Sequence, residues 1–102
     1  MRKAEVYQQG VLAGVLAETD GGDYRFEYCD GFSGEPVSLT MPTAQRAYAF
    51  EDFPSVFEGL LPEGGQLEAL LRRNKIDRSD LFAQLMAVGG DVVGSLQIKE
   101  IA

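Results

Sequence analysis

The sequence predicts an α+β domain. Its sheet is small and mostly antiparallel, built from amino-terminal hairpins plus a carboxy-terminal strand, with two consecutive helices between residues 65 and 90. Three observations carry that expectation. Tyr24, Phe26 and Tyr28 alternate with Arg25, Glu27 and Cys29, the period of a strand with one buried face. Leu67, Leu70 and Leu71 then fall at i, i+3 and i+4, the period of a helix face. Alternation returns near the end, through Val93, Gly94, Ser95, Leu96, Gln97 and Ile98.

Each element has its local reason. Residues 3–18, "KAEVYQQGVLAGVLAE", hold two apolar stretches split by "QQG", which reads as a hairpin whose second strand bends at Gly14. "TDGGD" at 19–23 is a turn, because Asp and Gly tolerate positive φ. After the alternating aromatic strand, "DGFSGEP" at 30–36 is another turn and "VSLTM" at 37–41 a further short strand. Residues 42–52 read as a connection, since Pro42 is unsuited to an inner strand.

The first long helix has Glu63 near its start and Arg72 and Arg73 near its end, which suits the macrodipole. Ser79 is the expected N-cap of the next helix, whose stripe is Leu81, Phe82, Leu85, Met86 and Val88. Gly89-Gly90 ends it, and the closing strand is expected to pair with the amino-terminal hairpin so that its edge is not left open.

At 102 residues the chain fits one domain over 1–102, since two cores would each be too small. A hydrophobic fraction of 45% and a charged fraction of 25% are those of a folded, soluble protein. The net charge of −7, with 16 acids against 9 bases, argues against phosphate-backbone binding and so against direct contact with nucleic acid. The bases cluster once, in Arg72, Arg73, Lys75 and Arg78. The single cysteine, Cys29, allows no internal disulfide, and no apolar run is long enough to span a membrane. A cytoplasmic location is the expectation.

Chemistry has little to stand on. With no histidine, the usual neutral-pH base, the usual transition-metal ligand and the Ser-His and Cys-His dyads are missing. Cys29 sits in a strand pattern with no activating neighbour in sequence. Asp20/Asp23 and Asp77/Asp80 are placed for turns and caps, and neither pair supplies the alternating ligands of a calcium loop. "GGD" at 21–23 and 89–91 opens no phosphate loop. The expectation is a protein that is not an enzyme and takes no cofactor or metal.

Recognition remains, and one stretch suggests it. "FPSVFEGLLPEGG", residues 53–65, sets large apolar side chains between two prolines directly before a helix. Two readings stand side by side. Phe53, Phe57 and Leu60 suit a loop that covers the core; Leu61 to Gly65 suit an exposed binding loop on a rigid base.

The same stretch, followed by "LEALLRRNKIDRSDLFAQLMAVGGDVVGSLQI", resembles the amino-terminal subdomain of HipA-type serine/threonine kinases. In that family an "F…LLPEG" segment leads into two helices, and a "GGDxxGxLxI"-like strand closes the subdomain. "GVLAGVLAE" at 10–18 is similar to the family's early strands, so the resemblance covers nearly the whole chain. No kinase phosphate loop, catalytic-base motif or magnesium-binding aspartate accompanies it. The chain therefore reads as this subdomain on its own, similar to the HipS proteins of three-part HipBST toxin–antitoxin modules. There the kinase toxin, HipT, lacks the subdomain, and the DNA-binding HipB completes the set.

The resemblance implies an antitoxin-like protein that binds and neutralises a HipT- or HipA-type kinase by docking where the kinase's own subdomain would sit. It also implies possible company with a HipB-like DNA-binding protein. The alternative is a non-inhibitory structural subunit, or excised subdomain, of a HipA-like kinase that mediates assembly with that repressor. The partner-binding residues expected are Phe57, Leu60, Leu61, Pro62, Glu63, Gly64 and Gly65. Related loops often carry a bulky residue, commonly tryptophan, just after "LPEG"; this chain has Gly65 there and no tryptophan.

Overall fold

The computed structural model describes residues 2–90 and 95–101. Its chain order is β1 (Lys3–Gln8), β2 (Val11–Glu18), β3 (Tyr24–Tyr28), β4 (Ala47–Phe50), α1 (Ser55–Glu58), α2 (Gly64–Asn74), α3 (Leu81–Val88) and β5 (Leu96–Glu100). The strands form one antiparallel sheet in the order β4-β3-β2-β1-β5. This is the α+β architecture expected from the two periods, with the last strand paired to the first as its open edge required.

The amino-terminal hairpin turns at Gln9 and Gly10, both at positive φ (52° and 81°), the geometry that matches the twist of two antiparallel strands. A bulge between Val6 and Tyr7 shifts the β1–β2 register. Gly14 lies opposite Tyr28, and a Cβ there would strike the Glu27 carbonyl and the Phe26 ring. Close approach, not a bend, is why glycine occupies it.

One sheet face is covered. Val6, Leu16, Phe26, Phe57, Phe82 and Leu85 are fully buried between the strands and the helices. The opposite face carries Lys3, Glu5, Arg25, Glu27 and Lys99 in alternation with the buried set, as an antiparallel sheet with one wet face requires. Gln84, buried in α3, donates from Nε2 to the carbonyls of Asp77 (3.2 Å) and Arg78 (2.9 Å), tying the helix to the loop before it.

Four local expectations need correction. Residues 37–41 are not a strand: only a Ser38–Met41 bridge forms, because a tight turn closes there with Met41 N–H donating to Ser38 O at 3.0 Å. Residues 47–50, read as part of a connection, form β4; Pro42 lies well upstream of this edge strand and blocks nothing. A short helix, α1, precedes the two longer ones. Asp80, not Ser79, caps α3, accepting from Ala83 N–H at 3.1 Å, because the Ser79 hydroxyl is engaged with Asp77 Oδ1 at 2.8 Å. Val93 and Gly94 of the expected closing alternation lie outside the described residues.

Candidate functional site

The 53–65 segment is built from the inside out. Pro54 stands at the N-cap of α1 with φ −61° and ψ 130°, and its carbonyl accepts from the N–H groups of Phe57 (3.1 Å) and Glu58 (3.0 Å). Further turn bonds run from Gly59 N–H to Ser55 O, from Leu60 to Phe57 and from Leu61 to Glu58, each at 3.0–3.1 Å. The backbone is thus held through Leu61 without a long helix.

Side chains sort by depth. Phe53 is buried and meets Tyr24 edge-on at 5.2 Å between centroids. Phe57 is fully buried, its ring centroid 6.0 Å from that of Phe26. Of the expected partner-binding residues, Phe57 is therefore a root of the segment in the core and presents no surface of its own. Leu60 and Leu61 are half-buried and pack on the core's margin, and Pro62 is half-buried too. Glu63, Gly64 and Gly65 are exposed.

That tip leads straight into α2. Glu63 is its N-cap residue in extended geometry, with no side-chain capping bond. Gly64 has φ +59°, a left-handed value that L side chains rarely adopt, so glycine is required by conformation there. Gly65 has open space where a Cβ would lie. The seven expected residues are contiguous in space only as a graded series, from buried root to bare tip.

Behind the tip, α2 ends in Arg72 and Arg73, both exposed, and is closed by Lys75 at φ 54° with its N–H on Leu71 O. Arg78 pairs with Glu68. One apolar residue was missed by the sequence reading: Leu39 is 96% exposed at the head of the Ser38–Met41 turn, whereas Val37 and Met41 beside it are buried. A strand over 37–41 would set all three on one face; the turn separates them. Its base is pinned by the buried Tyr28 hydroxyl, which donates to Met41 O at 2.5 Å and accepts from Val37 N–H at 2.9 Å.

Shifted ionisations trace to structure. Glu18 is held below the usual carboxylate range, first by its hydrogen bonds from Arg2. Asp77 is lowered by accepting the Ser79 backbone N–H and then its hydroxyl. Burial pushes the Tyr28 phenol up. Each of these groups braces a strand end, a cap or a loop, and none sets a base beside a nucleophile. Among the described residues no group of three or more His, Cys, Asp or Glu could hold a metal ion, and no helix is long and apolar enough to cross a membrane.

Comparison with known proteins supplies the lineage. Residues 4–99 match the family model of the HipA N-terminal domain. An uncharacterized protein of Haemophilus influenzae is 31% identical over 100 residues, which take in 98% of this chain and 93% of that protein. A putative kinase, Y4mE, of Sinorhizobium fredii is 28% identical over 102 residues, 96% of this chain but 24% of the kinase.

Among solved structures, the N-terminal domain of HipA toxin superposes with a TM-score of 0.79 at 25% identity, covering 100% of this chain and 94% of that one. In the complex of HipA, HipB and operator DNA from Shewanella oneidensis, one chain shares the fold with a TM-score of 0.76 at 22% identity, over 94% of this chain and 23% of that one. The chain thus spans about a quarter of the putative kinase and of that chain of the complex. The match runs from β1 into β5 and so takes in the whole sheet and all three helices: the chain belongs to the HipA N-terminal domain family.

Proposed function

We propose that this protein binds a HipA-type serine/threonine kinase, of the HipT kind, and neutralises it as an antitoxin. It docks on the surface that such a kinase's own N-terminal domain would occupy. One observation carries the reading. The same domain makes up 24% of the putative kinase of Sinorhizobium fredii, yet 93% of the Haemophilus influenzae relative is spanned by it. A domain found both beside a kinase-sized remainder and almost alone is suited to supply in trans the contact it makes in cis.

The candidate contact is the graded tip. Leu60, Leu61 and Pro62 offer half-buried apolar surface, followed along the chain by the exposed Glu63, Gly64 and Gly65, on a base that Phe57 fixes. An apolar centre with charges at its rim is how protein interfaces combine area with register. Preorganisation by the turn bonds lowers the ordering cost of docking.

The competing reading is a structural subunit of a HipA-like kinase that assembles with a HipB-like repressor and does not inhibit. Co-expression with the HipT-like kinase separates them. The proposal expects a stable complex by size-exclusion chromatography and restored growth of kinase-poisoned cells. A complex without rescue supports the structural subunit, and folded protein that forms no complex ends both.

A further inference from the structure

Gln8 is 6% exposed, and its side-chain Oε1 has no hydrogen-bond partner among the described residues. Its orientation is fixed, because Nε2 donates to Pro36 O at 3.0 Å and a flipped amide would set oxygen against oxygen there. A buried carbonyl with nothing to accept is rare enough in folded proteins to require an explanation. Gln8 lines a cleft of about 490 Å³ between the β1–β2 turn and the 29–36 loop.

The rest of that cleft narrows the chemistry. Its walls include Val11, which is 59% exposed, and Phe32, which lies flat against Tyr28 at 5.7 Å and an interplanar angle of 6°. A Cβ on Gly34 would come within 2.9 Å of the Phe32 ring, so glycine is what lets the ring lie there. The charged residues on the lining are Asp30 and Glu35, both acids; Asp30 pairs with Arg46, and Glu35 has no ion-pair partner among the described residues. An unpartnered acceptor buried behind the lining, an aromatic wall and an acidic rim suit a planar cation that donates hydrogen bonds.

We propose that this cleft receives an arginine side chain of a protein partner. The guanidinium donates to Gln8 Oε1 and to the Glu35 carboxylate, its plane rests on Phe32, and its methylene stem lies along Val11. Gln8 Oε1 is shielded from water, so the group reaches it as the 30–36 loop gives way about Gly31, which holds φ +75°. The site is separate from the 60–65 tip and does not depend on which kinase, if any, the protein binds.

The test is a two-dimensional NMR titration of the full chain with N-acetyl-arginine methylamide, with the uncharged citrulline analogue and free L-arginine beside it. The expected result is movement of the Gln8 side-chain amide and of the Phe32 and Glu35 backbone signals, strongest for the capped arginine. Gln8→Met should weaken binding about tenfold, the size of one hydrogen bond to a charged group. Glu35→Gln, an exposed change that leaves folding intact, should weaken it about two- to fivefold.

Signals that stay still, or that move equally with citrulline, overturn the proposal. So does a folded Gln8→Met or Glu35→Gln protein that binds as before. Tighter binding of free L-arginine than of the capped form would replace the protein partner by an amino-acid ligand and overturn this assignment too.

Discussion

Arg2 joins three parts of the molecule through one side chain. Its Nε and Nη2 donate to the two Glu18 carboxylate oxygens at 2.8 and 2.7 Å, its Nη1 lies 2.9 Å from Asp80, and its guanidinium carbon sits 4.9 Å above the Phe82 ring. The end of β2 and the cap of α3 are thereby held to the start of β1. The side chain is 37% exposed, so solvent screens the pairs. Arg2→Ala should cost about 1 kcal/mol, roughly 4–8 °C in Tm by thermal melting.

The pH dependence has a definite sign. Because the folded state holds Glu18 below its ordinary range, its ionised form favours folding. That contribution is complete above the ordinary glutamate range and is lost as pH falls through the depressed value. Urea titrations of wild type should therefore show stability falling on the acid side of that range. Arg2→Ala should show a shallower fall, and equal slopes would remove Arg2 as the cause.

At the scale of elements, the glycines show how a correct position can carry a mistaken reason. Gly89 does end α3, but with φ −57° and ψ −29°, which any residue adopts. What it supplies is closeness: a Cβ there would stand 2.5 Å from the Ile98 carbonyl oxygen and 2.7 Å from the Ile98 Cβ, where α3 meets β5. The Ile98 N–H donates to Gly89 O at 2.9 Å, so the helix end also covers the sheet edge. Gly89→Ala should cost about 1–3 kcal/mol by overpacking. Gly90→Ala, with open space around it, should change stability by no more than about 0.5 kcal/mol in the same denaturation series.

The helices that carry a full 3.6-residue stripe were legible: Leu67, Leu70 and Leu71 for α2, and Leu81, Phe82 and Leu85 for α3. The α1 turn was not, because four residues cannot show that period. β4 had its signal in Tyr48 and Phe50 alternating with Ala47 and Ala49, but the turn-rich residues before it outweighed a strand of four. Phe57 was legible in two ways, as a residue covering the core and as part of the partner-binding segment, and its depth is set by contact with Phe26 from another strand. Phe57→Ala should cost about 3–5 kcal/mol, read from urea unfolding, far more than any change at the exposed tip.

For the molecule as a whole, the sequence told the fold better than the site. Alternation and helical spacing report which face of each element is buried, and the short turns between successive strands report which of them pair. A docking surface is decided by what is left uncovered and by a partner that the chain's own periodicity does not encode. Charge gives only a coarse guide, since −7 is spread over turns, caps and the open sheet face alike. The place where the surface and the family resemblance meet most closely is Gly65. It lies in the first turn of α2, it is exposed, and nothing lies within 4 Å of the position its Cβ would take. The Cβ of a tryptophan there meets open space, and in a helix tryptophan replaces the costlier residue, so folding should be unharmed. If the tip faces the kinase, Gly65→Trp adds the large aromatic that interfaces use as an anchor, and calorimetry with the HipT-like kinase should show binding tightened about tenfold. Asp20→Ala, in the exposed β2–β3 turn, should leave the affinity unchanged. Were Gly65→Trp to bind no differently from wild type at unchanged Tm, the kinase would be meeting another part of the surface, and the exposed Leu39 turn would be the next place to substitute.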